Sequence, residues 1–356
     1  VVAWSVDESA RLHGRGASLA RAELPAVAAT TATVATRVEL VGEQPGVDDE
    51  LDELTPTEPP VERGLRPHSL ARDLVALTKP RITTTVVATM LAGAWVAARY
   101  RPDPGSLPTR IEGPSLLGAV LGTALVVSGA NALNMYLERG SDGLMARTAR
   151  RPLPQGRMSP RLALVFGLVL GLGSLPLLAL AANTLTAALA ALALVSYVAV
   201  YTPMKRVSTW SLPVGAIPGA VPPLLGWTAV RGTLDLAGLA LFGVLFVWQL
   251  PHFHAIGLFR RREYARAGLK TLAGELGEGR ARLHIALELF VVVALSLALV
   301  PLGVAGVKYL VAASVLGVVL LAVGLRPLAP VERWGRALFG TSVLYLVLLM
   351  LALVVG

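Results

Sequence analysis

Asn134, Glu138 and Asp142 recur every four residues near the end of a long apolar stretch. On an α-helix that spacing stacks the three side chains along one stripe. Oxygen donors in a row suit Mg2+, which takes one or two carboxylates and fills its shell with water and substrate phosphates. Arg147, Arg150 and Arg151 follow at once, and guanidinium forks match phosphate oxygens. Carboxylates for a metal beside arginines for phosphate point to a diphosphate site at a membrane surface. Alone, such a stripe could equally be a solvated helix end. Asn131 and Asn134 weigh against that, because an amide so deep in apolar sequence needs a partner.

Two more polar clusters close apolar stretches. The first is Lys205-Arg206, a pair that could serve topology alone but shares a face with the acidic stripe. The second runs Trp248-Gln249-Leu250-Pro251-His252-Phe253-His254, followed by Arg260-Arg261-Arg262-Glu263-Tyr264. A lone histidine such as His252 more often satisfies a buried hydrogen bond than it ligates a metal. Yet three clusters on one side of the membrane predict one shared cavity opening there.

The elements that must position these residues are membrane helices. The 356 residues are 54% hydrophobic and only 15% charged, with mean hydropathy +0.64, against about 25% charged in a soluble domain. Nine stretches reach the ~20 residues that a bilayer requires: 82–99, 115–137, 162–181, 184–201, 212–230, 236–258, 283–304, 307–325 and 338–356. The fifth is the weakest, holding Pro213, Pro218, Pro222 and Pro223, and reads as kinked or broken.

A net charge of +9 would fit nucleic acid, but the basic residues sit in short loops. Loops 2–3, 4–5, 6–7 and 8–9 hold most of them, which places these loops and the N-terminus in the cytoplasm and the C-terminus outside. Nine spans give the same parity. The chain has no cysteine, which excludes disulfides, thiolate metal sites and a cysteine nucleophile. Residues 1–70 mix an Ala/Thr-rich run with an acidic, proline-containing one and read as a disordered extension; the membrane domain is expected over 71–356. The stretch Leu24 to Ala35 is broken by threonines and is not read as a signal peptide.

Over about residues 73–350 the chain resembles the UbiA-type membrane prenyltransferases, and within them the haem-farnesylating subgroup. The motifs are Leu77-Thr78-Lys79-Pro80-Arg81, the run from Asn131 through Asp142, Met145 to Leu153, Tyr201-Thr202-Pro203-Met204-Lys205-Arg206, Gly215 to Trp227, and Trp248 to Phe253. The resemblance implies nine helices around a central cavity, with Asn134, Glu138 and Asp142 as the metal-diphosphate motif. It makes Arg147, Arg151, Lys205 and Arg206 diphosphate contacts, and Tyr201, Gln249, His252 and Tyr264 acceptor or cavity residues.

It also implies Mg2+ as cofactor, farnesyl diphosphate and haem B as substrates, and a multi-pass protein of the cell (inner) membrane. Haem A synthase or cytochrome oxidase assembly factors are the implied neighbours, with no role for nucleic acid. Glu263, His254 and Lys270-Thr271 depart from the family's usual residues after the sixth span. Two other readings remain. A quinone-precursor prenyltransferase would carry a full second aspartate motif where Gln249 to Phe253 stand. A secondary transporter would gather its polar groups near mid-helix, whereas here they lie at helix ends.

Overall fold

The computed structural model describes residues 69–356 except 103–108, 110–111, 145–147, 267 and 327–329. The expected N-terminal extension lies outside the described residues apart from Ser69 and Leu70. Arg147 lies outside them too.

Ser69 caps a short helix the sequence reading did not anticipate, α1 (Leu70–Thr78), accepting from the Arg72 amide. The chain then turns at Lys79, which takes left-handed angles (φ 47°, ψ 66°). A non-glycine residue there is strained. Pro80 follows at the first position of α2 (Pro80–Arg99), where its fixed φ and missing N–H suit a helix start.

Helix α3 (Gly113–Asp142) has 30 residues. At 1.5 Å per residue it is about 45 Å long, against ~30 Å of hydrocarbon, so its last turns reach beyond the expected span of 115–137. It packs along α4 (Pro160–Ala181) through small residues. Gly118 meets Ala181, Gly129 meets Gly171, and Gly167 meets Leu133, each with no room for another carbon. Close backbone approach is the way apolar helices associate where lipid offers no hydrophobic drive.

Next come α5 (Thr184–Val195), a π-helical turn over Ser196–Tyr201, and α6 (Thr202–Met204). These are followed by α7 (Ser211–Arg231), α8 (Leu236–Phe259), α9 (Arg261–Arg266) and α10 (Leu272–Leu276). The chain closes with α11 (Glu278–Ala298), α12 (Val307–Gly324) and α13 (Val331–Val355).

Among the described residues eight segments are long and apolar enough to cross a membrane: α2, α3, α4, Thr184–Met204, α8, α11, α12 and α13. The protein is a multi-pass, all-α membrane protein. The remaining expected span, the fifth, is a 21-residue helix, α7, but falls outside those eight. Its prolines lower its hydropathy, and every residue from Ala220 to Thr228 is buried in protein, so it is a central helix that faces neighbours rather than lipid. Gly93 and Gly226 let α2 and α7 touch: a Cβ on either would collide with backbone of Pro223 or Met90. The seventh span ends earlier than expected, at Ala298, because the chain turns through Pro301 and Gly303 (φ 69°).

Helix ends sort to two sides. Trp95 Nε1 and Arg99 Nη1, at the end of α2, donate to Val354 O near the end of α13 at 3.0 and 3.3 Å. Asn183 Nδ2, between α4 and α5, donates to Thr228 O late in α7 at 2.8 Å. Lys79, the end of α3 and the stretch after α6 gather elsewhere, as the site shows.

Candidate active site

The acidic stripe is tied to other elements one residue at a time. Asn134 is 1% exposed. Its Oδ1 accepts from Lys79 Nζ at 3.1 Å and its Nδ2 donates to Thr202 Oγ1 at 3.2 Å. Thr202 Oγ1 in turn donates to Tyr197 O at 2.8 Å, inside the π-helical turn, a distortion that often marks functional sites. One turn earlier, Asn131 Nδ2 donates to Thr78 O at 3.3 Å. Both amides expected to need partners therefore have them, in α1, the Lys79 turn and α6.

The carboxylates are each matched to a cation. Lys205 Nζ donates to Glu138 Oε1 at 2.7 Å and lies 4.5 Å from the Tyr201 ring centre. Arg151 Nη1 donates to both Asp142 oxygens, at 2.8 and 2.7 Å. Thr148 Oγ1 donates to Asp142 O at 2.6 Å, which closes the loop after α3 onto its own helix end. Lys79 makes no ion pair among the described residues. Burial, and after it the nearby Arg151, pull its ammonium down to about 7.

On the far wall, Gln249 Nε2 donates to Ala216 O and Leu245 O at 3.2 and 3.1 Å. Gly219 on α7 leaves the space for its amide, and Gly215 the space for the Tyr201 ring. His252 Nδ1 lies 2.8 Å from Ser342 Oγ on α13. Its ring packs on Trp248 and Phe339, with centres 4.7 and 4.8 Å apart.

All three polar clusters open on a single cavity of about 1220 Å3. Asn134, Glu138, Asp142 and Arg151 line one part of it; Tyr201, Lys205 and Arg206 another; Gln249, His252 and Tyr264 a third. Only Arg147, among the expected site residues, is outside the described residues. Single-ligand pockets hold about 300–1,000 Å3, so the space suits more than one substrate. The walls between the polar ends are apolar, with Val126, Val127, Ala130 and Leu225 among them.

Three participants escaped the sequence reading. Lys79 belonged to a recognised motif but carried no assigned role; a lysine heading the first span was the available signal. Ser342 gave none, since a lone serine in an apolar helix is ordinary. The basic 6–7 loop, joined to the cavity in sequence only as far as Tyr264, folds as α9 and α10 and also lines the cavity from Leu269 to Ala273. Lys270 N donates to Lys205 O at 3.4 Å and Thr209 Oγ1 to Glu275 Oε2 at 3.1 Å, joining it to the preceding basic loop.

The UbiA prenyltransferase family matches residues 86–339. A protoheme IX farnesyltransferase of Sorangium cellulosum is 53% identical over 278 residues, 76% of this chain and 99% of that protein. In three dimensions the chain resembles a digeranylgeranylglyceryl phosphate synthase (TM-score 0.69, 16% identity, 80% of this chain and 98% of that one). It also resembles a UbiA homologue from Archaeoglobus fulgidus bound to GPP and Mg2+ (TM-score 0.51, 16% identity, 80% of this chain and 100% of that one). The chain belongs to the UbiA prenyltransferase family.

Proposed function

We propose that this protein transfers the farnesyl group of farnesyl diphosphate to a vinyl group of haem B, giving haem O. The observation that carries the reading is one cavity with paired carboxylates and cations at one end and a histidine among aromatic rings at the other. The relative from Sorangium cellulosum, at 53% identity, supports haem as the acceptor.

The donor set fits magnesium. Two carboxylates and an amide face the cavity, and among the described residues no cluster of three acidic or histidine side chains forms a self-sufficient metal site. Such a set suits an ion that takes the rest of its shell from substrate phosphates. Glu138, Asp142 and Asn134 would hold Mg2+, which when bound offsets charge on the leaving diphosphate. Arg151, Lys205, Arg206 and Lys79 hold phosphate oxygens, fixed donors aimed where negative charge grows as the allylic C–O bond breaks. The apolar walls keep the isoprenoid chain in place and water away from its cationic carbon. The haem vinyl carbon then supplies the electron pair for the new C–C bond; water adds to the vinyl's other carbon and loses a proton.

The basic loops are assigned to the cytoplasm and the C-terminus to the outside of the cell membrane, with haem A synthase or oxidase assembly factors as candidate neighbours. Haem extracted from membranes that express the chain, in a host without its own haem O, tests the reading. A later-eluting haem heavier by one farnesyl group plus one hydroxyl group is expected. Unchanged haem with a prenylated quinone precursor would overturn it.

Lys79 gives a pH signature. With an ammonium near 7, its charge is complete below about pH 6 and lost by about pH 8, so kcat/KM for farnesyl diphosphate should fall across that range. Lys79→Arg keeps its charge and should flatten this fall, whereas Lys79→Met should lower kcat/KM about 100-fold at pH 6. The profile of kcat/KM reports groups of the free enzyme. Identical profiles for wild type and Lys79→Arg would remove Lys79 from diphosphate binding.

A further inference from the structure

The hydrogen bonds around His252 fix which of its ring nitrogens is free. Ser342 Oγ donates to Phe339 O at 2.8 Å, a back-bond to the preceding turn that serines often make in helices. A carbonyl can only accept, and a serine has one hydroxyl proton, so that proton is spent. Towards His252 Nδ1, 2.8 Å away, the hydroxyl can therefore only accept. Nδ1 carries the ring proton. In the neutral imidazole Nε2 is then a lone pair with no hydrogen to give.

Ser342 is fully buried and holds a second member of the same wall, because its carbonyl accepts from Trp248 Nε1 at 2.8 Å. Trp248 stacks on the imidazole with 23° between the rings, and Phe339 and Phe253 contact it at 4.8 and 5.5 Å. One serine thus sets both the tautomer of His252 and the position of an indole packed on it.

The free lone pair decides between two uses of a histidine facing a porphyrin. An ionised propionate offers only acceptors, so it has nothing for Nε2. A porphyrin iron is a Lewis acid with axial positions, and a neutral imidazole nitrogen is a common ligand for it. Ligating histidines usually donate their second ring N–H to a neighbour that fixes ring and tautomer, the part Ser342 plays here. We infer that His252 Nε2 is an axial ligand of the acceptor's haem iron, and that Ser342 is the positioning residue that presents it. The inference rests on the haem-acceptor reading above.

Purified full-length protein in lipid nanodiscs can be titrated with ferric haem and with metal-free protoporphyrin IX, with iron ligation read by absorbance and electron paramagnetic resonance. Wild type should bind haem more tightly than the metal-free ring and show a nitrogen-ligated iron. His252→Phe keeps an aromatic ring among Trp248 and Phe339 but has no nitrogen; it should lose both the preference and the signature while still binding protoporphyrin IX. Free imidazole should restore the signature in His252→Ala. Ser342→Ala should weaken haem binding about tenfold and leave protoporphyrin binding unchanged. A wild type that farnesylates haem while His252→Phe keeps the same iron signature and preference would overturn the ligand assignment alone. A wild type that neither farnesylates haem nor shows ligated iron would overturn the functional reading, and the assignment with it.

Discussion

Replacing Asp142 by alanine is expected to abolish prenyl transfer, lowering kcat by at least about 10²–10³-fold, while the protein still inserts and folds. Asp142 is buried at the last turn of α3, and its side chain receives both contacts of Arg151 Nη1. The change removes a candidate metal ligand and frees the guanidinium that should be aimed at phosphate. Arg151 keeps 19% side-chain exposure and can turn into the cavity, so the stranded charge need not unfold the helix. Asn134→Ala should act similarly by a different route, because it cuts the links to both Lys79 and Thr202. Turnover by radiolabelled farnesyl transfer, with size-exclusion elution as the check on folding, measures both. Wild-type-like haem O formation by either variant would take the stripe out of the mechanism.

Chelation should have the largest effect of all. Activity in purified membranes is expected to vanish with excess EDTA and return on adding Mg2+. The cavity presents carboxylate and amide oxygens, and the chain has no cysteine to offer a softer ion. Binding of a non-hydrolysable farnesyl diphosphate analogue should weaken in parallel, while haem binding at the His252 wall should not. Unchanged turnover in excess chelator would end the metal-diphosphate reading.

Much of this was legible in sequence because it follows from periodicity. Spacing of four placed Asn134, Glu138 and Asp142 on one stripe, and apolar run length marked the spans, including the proline-rich α7. Partnership was not legible. Nothing local says that Lys205 rather than Arg206 pairs with Glu138 across 67 residues, or that Ser342 meets His252 across 90. Such pairings are set by helix packing. The turn at Lys79 was hidden for another reason: left-handed angles at a lysine run against its own preference, and tertiary contacts with Asn134 and Asn131 hold it there.

The paired charges would also make the proposed diphosphate pocket selective. On the proposed reading, a bare anion that takes up Arg151 and Lys205 would draw them away from Asp142 and Glu138, leaving those carboxylates uncompensated. A bare divalent cation faces the mirror problem and would strand the arginine and lysine. A guest that brings both signs together would take over both pairs at once, so that each protein charge trades one partner for another. On the proposed reading, inorganic phosphate and free metal would each compete poorly, and the two halves of a metal-diphosphate ligand would each favour the binding of the other.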